Sequence, residues 1–152
     1  MYSWYRTTER IMYNFKDKRK QYDTLQQEYY DMERNGDVHG QSYKEVSGSG
    51  SDISDRVFDY VHKRECLERR LKRLYVEVEA VLRVYKRLMQ DVSLKGERLC
   101  YVLEQIYFKH EYVSCDYMSA KHVNECKYML VRMVSRQMYR LRRSTERAKV
   151  KQ

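Results

Sequence analysis

Proline is absent from this chain and glycine occurs five times in 152 residues. Proline breaks a helix interior by removing a donor and crowding the preceding turn, and glycine weakens it through backbone entropy. Their scarcity, with abundant Leu, Met, Glu, Lys and Arg, is the composition of long helices. No stretch approaches the roughly 18 apolar residues of a membrane span. The opening Met1-Tyr2-Ser3-Trp4-Tyr5-Arg6 lacks the apolar core of a signal peptide. A cytoplasmic protein with reduced cysteines is therefore expected.

Other absences bear on chemistry. Cys66, Cys100, Cys115 and Cys126 form no CxxC pair. His110, Cys115, His122 and Cys126 could be drawn as a zinc site, but their spacings match no common finger, and each also fits a helix seam or surface. No metal is expected. His39, His62, His110 and His122 are scattered, without a carboxylate or nucleophile at a suggestive spacing. No glycine-rich phosphate loop, nucleophile elbow or carboxylate pair appears. Neither a cofactor nor enzymatic activity is expected.

What is present is heptad patterning. Trp4, Thr8, Ile11, Phe15, Lys18, Tyr22, Leu25, Tyr29 and Met32 alternate in fours and threes, which predicts one amphipathic helix over 3–33. Four of the five glycines fall in 35–54, read as a loop, where Asp52 or Ser54 would cap the next helix. Val57, Tyr60, Arg64, Leu67, Leu71, Leu74, Val78, Val81, Tyr85 and Leu88 then predict a second long helix over 55–90. Arg64 reads as a snorkelling or register-setting group in that seam. The loop lets the two helices fold back antiparallel, as residues 1–91. A heptad seam can be covered within one chain or by a second, so a homodimer stays open. The sixteen tyrosines suit half-buried seams, where the ring packs and the hydroxyl stays wet.

After a break at 92–96, three helices are predicted over 97–109, 113–122 and 126–147. The turns between them fall at 110–112 and Asn124-Glu125. Leu99, Val102, Leu103, Ile106 and Phe108 would face the core from the first, Met118, Ala120 and Val123 from the second, and Leu130, Val134, Met138 and Leu141 from the third.

Charge is concentrated in that last segment. From Lys127 to Gln152 nine bases meet one acid, Glu146, so this stretch holds eight of the nine net positive charges. Charge placed so unevenly points to a polyanion, foremost nucleic acid, although basic blocks also serve solubility alone. Three short helices with a basic third form the pattern of a helix-turn-helix, whose last helix enters the major groove. Lys127, Tyr128, Arg132, Ser135, Arg136, Tyr139, Arg140 and Arg143 would face outward. Lys127, Tyr128, Arg132, Ser135 and Arg136 are expected to contact bases or neighbouring phosphates. Arg140, Arg142 and Arg143 are expected mainly on phosphates, and Tyr139 can bond phosphate or pack on sugar.

Tyr107-Phe108, Ala120, Asn124 and Met138-Tyr139-Arg140-Leu141-Arg142 resemble region four of extracytoplasmic-type sigma factors. In that family an aromatic pair ends one helix, a small residue marks the second, and a turn leads into a basic helix ending in Leu-Arg. The sequence departs from it at Met118, Asn124 and Glu125, where the family has an acid, a glycine and an apolar residue. The whole layout is also similar to the RinA-type and ArpU-type late transcription regulators of phages of low-GC Gram-positive bacteria. It shares with them Thr7-Thr8-Glu9-Arg10-Ile11-Met12-Tyr13-Asn14, the Gly50-Ser51-Asp52 loop and a long charged helix. The resemblance implies an all-α protein of a phage or prophage. It would bind specific double-stranded DNA in the bacterial cytoplasm and activate late genes, with RNA polymerase as a further partner.

Two rival readings fit the same features. Phage small terminase subunits also join a helix-turn-helix to long helices, and assemble into rings. A structural or adaptor coiled coil with a basic tail would instead bind an acidic protein.

Overall fold

The structure, a computed structural model, describes the backbone of residues 3–42 and 50–150 and the side chains of 3–35 and 55–148. The protein is all-α: the described residues contain five α-helices, one π-helical turn and no strand. The helices are α1 (Ser3–Tyr13), α2 (Phe15–Ser42), α3 (Gly50–Gln90), α4 (Leu94–Val102) and α5 (Ala120–Val150). The π-helical turn, Leu103–Phe108, continues α4.

The first predicted helix is split at Asn14. Its amide side chain donates to the Arg10 carbonyl (3.0 Å), competing with the backbone bond from its own N–H (3.1 Å). Helix α2 runs through Gly36 and Gly40 to Ser42, and α3 begins at Gly50. Residues 35–42 and 50–54, expected as loop, are thus helical, and Asp52 and Ser54 lie inside α3 instead of capping it. Residues 43–49 of the expected loop lie outside the described residues.

Two compact units form: Met1–Arg19 with Val76–Gln152, and Lys20–Tyr75. The division expected near 91–97 is therefore not the one the packing makes. The reason is that Tyr5, Ile11, Met12 and Phe15 share one core with Val78, Val81, Val84 and Leu88 of α3, Leu99, Val102 and Tyr107, and the inner face of α5. Each such buried side chain contributes on the order of 1.5–3 kcal/mol before entropy is charged.

The unit of residues 20–75 is an antiparallel helix pair. Partners fall along α3 as they rise along α2: Tyr22 with Tyr75, Tyr29 with Glu68, Glu33 with Arg64. Leu25, Leu67 and Leu74 are buried between them, flanked by Tyr22, Tyr29, Met32 and Leu71. Here the seam is covered within one chain. Arg64 lies at its edge, 2.8 Å from Glu33 and 3.6 Å from Glu68, with its guanidinium 5.9 Å from the Tyr29 ring centre.

In the other unit, Ser93 caps α4 by accepting from the Gly96 amide (3.1 Å). A Cβ on Gly96 would lie 2.4 Å from Asp91 Cγ, so the tight turn needs glycine there. The Ser93 side chain and backbone amide hold the Asp91 carboxyl below its ordinary value by hydrogen bonding.

The helix predicted over 113–122, and the turn at Asn124-Glu125, do not form. Residues 111–114 carry no regular structure and 115–117 make a turn. Ser114 Oγ accepts from the Asp116 amide (3.3 Å), and its carbonyl accepts from Tyr117 and Met118 (both 3.1 Å). Such short polar side chains offer the backbone an alternative to helix. Ser119 then starts α5, its Oγ accepting from the His122 amide (3.4 Å). Asn124 and Glu125 are interior to that helix, so no helix-turn-helix is present among the described residues.

Candidate nucleic-acid interface

Helix α5 spans 31 residues, roughly 45 Å at 1.5 Å per residue. Cys126, Leu130, Val134, Met138 and Leu141 are buried at three- and four-residue spacing, with Val131 buried beside Leu130. They pin one side of the helix to the core, which forces the opposite side into solvent. There Tyr128, Arg132, Arg136, Tyr139, Arg143 and Arg147 follow at intervals of four, four, three, four and four, all exposed. Arg140 and Arg142, also exposed, flank the stripe, and Ser135 is half-buried beside it.

Around Ser135, Arg136, Tyr139, Arg140, Arg143, Ser144 and Arg147 lies an open depression of about 780 Å³. A second, of about 740 Å³, is lined by Lys121, Asn124, Glu125, Tyr128 and Met129. The Arg143 guanidinium sits 5.7 Å from the Tyr139 ring centre, a cation–π contact that stiffens both side chains. Among the described residues Arg132, Arg136, Arg140, Arg142 and Arg143 make no ion pair with a carboxylate.

Two expected site residues are placed differently. Lys127 is half-buried and its Nζ lies 3.1 Å from Glu9 Oε1 on α1. The Tyr107 hydroxyl donates to the same oxygen (3.4 Å). Tyr128 stacks on Tyr5, ring centres 6.0 Å apart and planes 16° from parallel. Lys127 and one face of Tyr128 therefore hold α1 against α5. Burial, and then Glu9, raise the hydroxyl pKa values of both Tyr5 and Tyr107. Both phenols stay protonated, and that of Tyr107 serves as the donor to Glu9.

Tyr5, Glu9 and Tyr107 were not legible as parts of this region. The heptad count puts Trp4 in the seam, yet Trp4 is 37% exposed while Tyr5 is buried. Lys121 was assigned to the expected middle helix, 113–122, and not to the basic one, because α5 starts six residues earlier than its periodicity suggested. Arg147 could have been found by continuing the i, i+4 series from Arg143.

Among the described residues no three His, Cys, Asp or Glu side chains are grouped to hold a metal ion, and no helix is long and apolar enough to cross a membrane. Comparison with protein-family models, curated proteins and solved structures finds no match for the chain.

Proposed function

We propose that the protein is a double-stranded DNA-binding transcription regulator that lays the outer face of α5 along the major groove. The observation that carries this reading is the one-sided series Arg132, Arg136, Tyr139, Arg143 and Arg147, exposed and, for the arginines through Arg143, without a carboxylate partner among the described residues. From Tyr128 to Arg147 the face runs roughly 28 Å. The major groove, about 12 Å wide, admits such a helix. Arginine forks onto guanine O6 and N7, or neutralises phosphate. In this reading α5 acts as a single recognition helix, with Lys127 assigned to α1 docking.

The resemblance to phage late regulators supplies the finer part of the proposal: activation of late genes through a specific upstream site, in contact with RNA polymerase. Genome-wide selection of sheared DNA from the source organism and any resident phage, at about 150 mM salt to damp non-specific attraction, tests it. One or a few sharp sites upstream of an operon are expected. A smear without an enriched motif, together with equal retention on heparin, would overturn it in favour of an adaptor with a basic helix.

A further inference from the structure

Away from the arginine stripe, the segment between the π-helical turn and α5 builds an unusual cavity. The turn ends with the Lys109 amide bonded to the Glu104 carbonyl (2.9 Å) and the Glu111 amide bonded to the Gln105 carbonyl (2.8 Å). Between them His110 adopts φ 59°, the left-handed conformation that glycine normally supplies at a helix end. Its ring lies on Tyr13, centres 4.2 Å apart. The Gln105 amide, turned to satisfy both its ends, donates to Glu111 (2.9 Å) and accepts from Lys109 (3.0 Å). These bonds tie residues 109–111 to the end of the π-helical turn. π-Helical turns and left-handed non-glycine residues concentrate at functional sites.

Behind this loop is a cavity of about 380 Å³. Tyr13 and His110 supply aromatic walls, Met118 and Val123 an apolar floor and Asn124 a carboxamide from the second turn of α5, while Tyr112, Glu111 and Lys127 stand at its rim. Met118 is buried, whereas the Tyr112 ring is 99% exposed, a large aromatic surface left in water beside an apolar hollow.

We propose that this cavity binds a planar heteroaromatic ring of the nucleobase class. Aromatic side chains stack on the π-face of any base. A carboxamide presents a donor and an acceptor side by side, the pair that matches an exocyclic amino group beside a ring nitrogen, as on adenine or 2-aminopurine. The volume lies at the low end of small-molecule sites, which suits one base or nucleoside and no larger ligand. The same ring could come from a free nucleoside or from an unpaired base of a bound strand. The proposal does not rest on the arginine stripe, whose residues do not line the cavity.

The test uses the full chain and 2-aminopurine, whose fluorescence is quenched by stacking. One arm supplies it as the free deoxyriboside, the other at an unpaired end of a short oligonucleotide. Saturable quenching at or below about 1 mM is expected in at least one arm. Tyr112→Ala and Asn124→Ala alter exposed side chains, so both variants should melt like the wild type. Each should weaken that quenching on the order of tenfold. Quenching by the deoxyriboside identifies a free ligand, and quenching by the oligonucleotide alone identifies a strand base. Either result supports the site. Arg136→Ala should leave the deoxyriboside arm unchanged, so failure of the DNA reading is seen separately. No saturable quenching in either arm, or quenching unchanged in both cavity variants, overturns the proposal.

Discussion

Lys127 Nζ lies 3.1 Å from Glu9 Oε1, so the first base of the positive C-terminal stretch is tied to α1. Both side chains keep more than a quarter of their surface in water, which screens the pair. Lys127→Ala should therefore cost about 0.5–1 kcal/mol, lowering Tm by a few degrees. The slope of DNA affinity against salt should stay unchanged. Thermal melts and a salt titration check both; a slope shallower by about one would return Lys127 to the phosphate contacts.

The arginines of α5 should separate by role. If about six phosphates are neutralised, log K should fall against log salt with a slope near −5. Arg132→Ala or Arg136→Ala should relax sequence preference, at about 1–3 kcal/mol for the preferred site. Arg143→Ala should instead weaken all sequences alike. Competition binding with a selected site and its scrambled version reads the difference. Equal effects from all three variants would refute the division.

Glu77 stands 4% exposed with Lys18 Nζ at 2.6 Å. Lys18 is, with Thr8, one of two polar positions in the first heptad seam, and the structure gives it a buried partner. Removing Lys18 takes a charged hydrogen-bond donor away from a carboxylate in low dielectric. Lys18→Ala should cost about 2 kcal/mol, below the fully buried range because Lys18 itself is 22% exposed. Replacing both, as Lys18→Met with Glu77→Leu, should recover most of the loss. Urea denaturation of the two variants decides it, and a double variant no better than the single one would contradict the argument.

The Tyr85 hydroxyl donates to Glu104 Oε1 at 2.6 Å. That bond, and then burial, push its pKa from 10.0 up to about 12. A group with a raised folded-state pKa stabilises fully below its unfolded value, and the contribution fades as pH climbs to the folded one. The stability advantage of the wild type over Tyr85→Phe should hold below pH 10 and shrink towards pH 12. Denaturant midpoints at both ends of that window measure it. An advantage constant across the window would mean that the bond does not govern the titration.

The long helices were legible because an apolar residue every three or four positions leaves little alternative in a chain without proline. Leu67, Leu71, Leu74, Val78, Val81 and Leu88 all reappear as packed seam, and Leu130, Val134, Met138 and Leu141 as the buried stripe of α5. Element ends were less legible. At Asn14 a side chain interrupts a continuous pattern, and over 113–119 Ser114 and Ser119 redirect the backbone where apolar spacing suggested helix. Local hydrogen bonds of short polar side chains decide such places, and periodicity does not register them.

The amino-acid order alone determined the all-α class, the heptad seams and the one-sided basic face of the last helix, since these follow from spacing and charge along the chain. Tertiary structure decided what spacing cannot carry. It set α1 on α5 through Glu9, Lys127, Tyr5 and Tyr128, withdrew Lys127 from the open face, and shaped the aromatic cavity at His110. Each of these depends on residues far apart in sequence meeting at a few ångströms, and such distances exist only once the helices have packed.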